Sequence, residues 1–166
     1  RELARRAFDT AVAGGNHGIE NLARLLLAED NSLPLDVRIH HAEKVLHDEF
    51  TRTQVTMALR TLADLRYREN PAHPEISFGL IDRAIAVAEA SGDADEIAMG
   101  CASRMNLRWE TGPREQAIAE SLAALDSLEK VRDRQRDEMV RARWFNRQAL
   151  TYYQASGRLL DGTPTP

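Results

Sequence analysis

Leu65-Arg66-Tyr67-Arg68-Glu69-Asn70-Pro71 and Leu107-Arg108-Trp109-Glu110-Thr111-Gly112-Pro113 lie 42 residues apart in the chain. Both run through Leu, Arg and an aromatic, and both close on a proline behind a turn residue. Further along, Arg83 to Asp93 overlies Ala123 to Asp133 with a shift of 40 residues, and the small, apolar and acidic positions coincide. The segment from Pro71 to Glu75, about two residues longer than its counterpart, accounts for the change of shift. A third copy begins at Trp144 and reaches Gly157, with Tyr152-Tyr153 ahead of the glycine. A period near 40 residues is the mark of an array whose unit is one supersecondary element that cannot bury its apolar face alone.

That unit is helical. The 166 residues include 24 alanines and only 5% aromatics, and no stretch shows the period-two alternation of a half-buried strand. Gly14-Gly15-Asn16, Asn31 to Pro34, Asn70 to Pro74, Ser91-Gly92-Asp93, Thr111-Gly112-Pro113 and Ser156-Gly157 punctuate the chain. They predict helices at about 1–13, 18–29, 34–49, 51–69, 75–91, 94–110, 113–131 and 134–156. Pro34 and Pro113 suit a first turn, Asp93 suits an N-cap, and Gly92, Gly112 and Gly157 suit left-handed C-caps. The expected fold class is all-α. Short connections make neighbours antiparallel, and the repetition selects a right-handed solenoid of stacked hairpins over a bundle. The hairpins fall at 18–49, 51–91, 94–131 and, incomplete, 134–157. One domain over 1–157 is expected, with 158–166 as a linker or tail toward a further domain.

Composition removes several classes of function. With 22 Lys plus Arg against 26 Asp plus Glu, the net charge of -4 disfavours a polyanion-binding surface, so nucleic acid is not the expected partner. Apolar runs such as Leu25-Leu26-Leu27-Ala28 fall far short of the roughly 20 residues that cross a bilayer, so no membrane association is expected. The one cysteine, Cys101, can form neither an internal disulfide nor a multi-thiolate metal site, and a reducing cytoplasm is the expected location.

The repeat resembles the tetratricopeptide repeat. That family's helix-turn-helix unit places an aromatic and then a glycine near the end of its first helix and small residues seven apart in its second. Trp109, Gly112, Ala117 and Ala124 resemble that pattern, and Tyr153 with Gly157 resembles it in the next copy. The resemblance covers residues 51 to 157, with 18–49 as a more divergent hairpin. A period of 40 to 44 residues instead of the family's 34 is similar to the extended repeats of bacterial regulators. Those precede an effector such as a diguanylate cyclase, a protease or a transcription-factor module. The resemblance implies a partner groove lined by the first helices of successive hairpins.

Candidate chemistry is sparse. His40, Glu43 and His47 share one helical face, but they lack the paired-histidine i, i+4 spacing of the strong zinc motif, and a solvated face is the expected reading. Gly14-Gly15-Asn16-His17-Gly18 has glycines without the strand or the Lys-Ser/Thr of a phosphate loop and reads as a turn. Cys101 sits in a small-residue run and reads as packing. No catalytic residue, metal or cofactor is expected, and the chain is not expected to be an enzyme. On the first helices, Arg60, Arg104, Asn106, Arg108, Arg143, Asn146 and Arg147 recur at helical spacing where a groove needs polar handles.

Charge is uneven. Residues 17 to 50 carry three bases against seven acids, whereas 132 to 158 carry seven arginines against three acids. This polarity suits self-association or docking of an adjacent domain. The expected function is a protein- or peptide-binding regulatory or scaffold module inside a larger signalling protein, holding a partner segment in the groove of 51–69, 94–110 and 134–156. A sensory domain for a small anionic ligand or signal peptide that controls an attached effector is the alternative. A ligand-free dimerisation module is a third reading.

Overall fold

The computed structural model describes residues 2–48, 51–134 and 137–160. Among them are eight helices and no strand: α1 (Glu2–Ala13), α2 (His17–Glu29), α3 (Leu35–Asp48), α4 (Arg52–Glu69), α5 (Pro74–Ser91), α6 (Ala94–Thr111), α7 (Arg114–Asp133) and α8 (Glu138–Leu160). No helix among the described residues is long and apolar enough to cross a membrane. Residues 158–160, expected to begin a tail, are instead the last of α8; the rest of that tail, 161–166, and the expected helix ends at positions 1 and 49 lie outside the described residues.

The helix boundaries follow from local chemistry. Asn16 accepts a hydrogen bond from the Ile19 amide at 3.1 Å, Thr51 from Gln54 at 3.2 Å and Asp93 from Glu96 at 3.2 Å, so each start satisfies an otherwise orphaned donor. Gly92 takes φ 69°, where a side chain would be strained, and ends α5 as expected. Gly15, also left-handed, turns the chain between α1 and α2. Three expectations are corrected. Pro34 and Pro113 stand just before their helices, where their carbonyls accept from Arg38 and Ala117, and Pro74 is the proline in a first turn. Gly112 is not left-handed; it leaves room for Arg108, whose Cδ would lie 2.6 Å from an added Cβ. Gly157 ends nothing, because α8 runs through it to Leu160.

The chain divides into two compact units, and the division falls inside α6, between Glu96 and Ile97. In the first unit α1 packs on α2, α2 on α3, α3 on α4 and α4 on α5, and α2 also meets α4. Its core joins Ala28, Ile39, Ala42, Leu62 and Leu65, with Leu25, Val45 and Ala58 forming a second cluster bridged to it by Leu46. Fully burying each Leu, Ile or Val among them stabilises by about 1.5–3 kcal/mol. Arg38, itself buried, donates from Nε to the Ala28 carbonyl at 2.8 Å, placing a cation at the negative end of α2. In the second unit α6 is tied to α7 by Arg104 and Trp109, and α7 packs on α8.

Burial reproduces the sequence repeat. Thr56, Ala58, Leu59, Ala63 and Leu65 are buried in α4, and the residues 42 positions on, Ala98, Gly100, Cys101, Met105 and Leu107, are buried in α6. Ser77, Ile81, Ala84 and Ala88 in α5 correspond, 40 positions on, to buried Ala117, Ser121, Ala124 and Leu128 in α7. The second helix of each hairpin thus turns one narrow stripe of mostly small residues inward, which lets two helix axes approach closely.

Candidate interaction surface on the last helix

Asp137 starts α8: its carboxylate accepts from the amides of Met139 and Val140 at 2.8 and 3.0 Å. The helix buries Trp144, Gln148, Thr151 and Ala155, one residue per turn on a single face. Tyr152, beside that face, donates to Glu129 on α7 at 2.8 Å; burial, and then the carboxylate, raise its hydroxyl well above the usual phenol value. Arg158 donates to Asn106 on α6 at 2.5 Å and lies 5.9 Å from the centre of the Trp109 ring.

The opposite face of α8 is apolar as well. Met139 is 63% exposed, Leu150 67%, Tyr153 76% and Leu160 70%. All four fall within about 80° around the helix at its 3.6-residue period. Ala142 and Asn146 share their side, and Arg143 borders it. A helix apolar on two opposite faces is built to be covered on both. Among the described residues of the second unit, no other helix combines so many exposed large apolar side chains.

The seven residues expected to line a groove fall into two groups. Arg60 pairs with Glu96 at 3.0 Å with little exposure, and Thr56 donates to the same carboxylate oxygen. Arg104 pairs with Glu120 at 2.6 Å, Asn106 accepts from Arg158, and Arg108 reaches Gln116 at 3.4 Å. These four serve the packing of their own units. Arg143, Asn146 and Arg147 are exposed on α8. Of the aromatics of this helix, Trp144 is core, Tyr152 half-buried and Tyr153 exposed. The signal available in the sequence was a second apolar stripe, Met139, Leu150 and Tyr153, out of phase with Trp144 and Thr151.

The other candidates acquire ordinary surroundings. Glu43 accepts from Arg66 at 2.5 Å, and His47 lies 3.5 Å from Asp48. No three His, Cys, Asp or Glu side chains gather as a metal site among the described residues. Cys101 is buried. The first unit holds a cavity of about 500 Å³ beside α1, lined in part by Glu2, Asp9, Asp30, Arg5, Phe8 and His41. Three carboxylates against one guanidinium make it a poor host for an anion. Arg24 lies 4.7 Å from the centre of the Phe8 ring, and His41 meets the same ring edge-on at 5.9 Å. Burial, and then the neighbouring Arg24 and His40, lower the His41 pKa and so favour the neutral ring.

Compared with known protein families, curated proteins and solved structures, the chain matches none.

Proposed function

We propose that this chain is a protein-binding module of the regulatory or scaffold kind, acting in the cytoplasm within a larger protein, and that its binding surface is the outward face of α8. The observation that carries the reading is the coincidence of exposed Met139, Leu150 and Tyr153 with the polar handles Arg143 and Asn146 on one regular helix. Burying the apolar stripe supplies affinity at roughly 25 cal/mol per Å², and Arg143 and Asn146 offer a partner polar contacts at the same face. Helix faces of this kind take an amphipathic helix from the partner. The resemblance to tetratricopeptide repeats supports the reading, because that architecture presents helices for contact and carries no chemistry of its own.

Selection of displayed peptides on the chain, repeated with Leu150→Asp and with Arg104→Ala, tests it. The expected outcome is that selected peptides lose tenfold or more in affinity for Leu150→Asp and keep it for Arg104→Ala. Peptides that bind Leu150→Asp as tightly as the original chain would overturn the α8 assignment.

A further inference from the structure

The outward stripe of α8 is self-complementary. Its centre line runs Met139, Ala142, Asn146, Ala149-Leu150, Tyr153, Gly157, Leu160. Reversed about the midpoint between Ala149 and Leu150, it maps onto itself. Met139 comes to the level of Leu160, Ala142 to that of Gly157, Asn146 to that of Tyr153, and Ala149 to that of Leu150. We infer that the partner of this face is the same face of a second copy, packed antiparallel about a twofold axis. The inference rests on the reading of α8 as the binding surface and names its occupant.

Three observations carry it. Large apolar residues meet each other at the ends, Met139 with Leu160, and an amide meets a phenol in between, Asn146 with Tyr153, which is the reciprocal pairing a twofold interface demands. Small residues face each other at two levels, so the helix backbones can come close. Among the described residues nothing gives Gly157 a packing reason: it stands inside a regular helix, where glycine costs about 1 kcal/mol relative to alanine, and an added Cβ would meet none of their atoms within 4 Å. A second helix lying over it supplies the missing reason.

Charge selects the antiparallel arrangement. A parallel pair would set Arg143 beside Arg143 along the seam, a like-charge contact. The antiparallel pair brings Arg143 to the level of Ser156 in the other copy. The stripe is about 33 Å long and covers on the order of 500 Å² per copy, less than the roughly 800 Å² of a standard stable interface. A reversible dimer with a dissociation constant in the micromolar range is the expected strength.

Sedimentation equilibrium of the chain from about 5 to 500 μM tests the proposal. The mass is expected to rise from 18.6 kDa toward twice that value with concentration. Leu150→Glu, which sets carboxylates together at the twofold axis, should weaken the dimer a hundredfold or more while leaving the helical circular dichroism unchanged. A mixture of Ala142→Cys and Gly157→Cys chains should form a disulfide between the two variants, and neither variant should cross-link to itself. A chain that stays at 18.6 kDa throughout, or single variants that each cross-link to themselves, would overturn the inference. A monomeric chain whose selected peptides still depend on Leu150 would sink the self-pairing alone, whereas peptides indifferent to Leu150 would sink the surface itself.

Discussion

In the hairpin of α4 and α5 the Ser77 hydroxyl donates across to the Ala63 carbonyl at 2.7 Å. In the hairpin of α6 and α7 the matching position is Ala117, and the crossing bond comes instead from Trp109, whose Nε1 donates to Ser121 at 2.7 Å; Ser121 in turn donates to the Ala117 carbonyl. Ser121 stands where the earlier hairpin has Ile81. Serine and an apolar residue have thus exchanged places between two hairpins that bury the same positions. What the two hairpins share along the stripe is the burial of the matched positions, whereas the side chains at them change size, as at Ile81 and Ser121 or Ala88 and Leu128. The hydrogen bond that locks the pair can be drawn from either end of the stripe, since a buried hydroxyl needs only one partner within reach.

The comparison can be broken first at Leu65 and Leu107, matched positions on α4 and α6. Alanine at either removes a buried side chain and should cost about 2–5 kcal/mol, with Leu65 the costlier because it is fully buried whereas Leu107 keeps 7% exposure. Chemical denaturation of the two variants checks this. A Leu107→Ala chain as stable as the original would mean that the two hairpins are not equivalent.

A smaller difference is expected at the locks. Ser121→Ala removes the acceptor of a half-buried indole N–H and should cost about 1–3 kcal/mol. Ser77→Ala removes only a donor to a carbonyl that α4 already engages, and about 1 kcal/mol or less should be lost. Equal losses would show that the indole contributes nothing beyond its packing.

The smallest effect separates the two units by pH. All five histidines precede residue 74, so protonation near neutrality concerns the first unit alone. His41 has a folded pKa below its unfolded value, so the unfolded chain binds the proton first. Its contribution to stability is complete above about pH 6.5 and declines as the pH falls toward the folded pKa. Amide exchange followed from pH 7.5 to 5.5 should therefore show protection falling in α1 to α3 and holding in α6 and α7. His41→Gln should flatten the dependence; equal loss of protection in both units would refute the assignment to His41.

Much of the fold was legible in the chain. Asp93, Gly92 and the breakers around Pro71 and Pro113 mark their boundaries because caps and turns depend on nearest neighbours, and the 42- and 40-residue shifts that reveal the repeat join positions that are buried alike. Gly157 was misread for the same local reason. Glycine after an apolar run is a good stop, yet here α8 continues because Thr151 and Ala155 keep it seated on its buried face. The site was less legible. Arg60 and Arg104 looked like free handles, but their partners Glu96 and Glu120 are 36 and 16 residues away, and spacing along one helix says nothing about a carboxylate delivered by another.

The sequence by itself determined the helices, their ends and the repeating register, because propensity, capping and apolar periodicity act over a few residues and are written in order along the chain. Only the tertiary structure decided which arginines are spent inside the units and which of α8's two apolar stripes is covered. Burial is a property of what lies across from a side chain, and on the one helix Trp144 is covered while Tyr153 is left exposed.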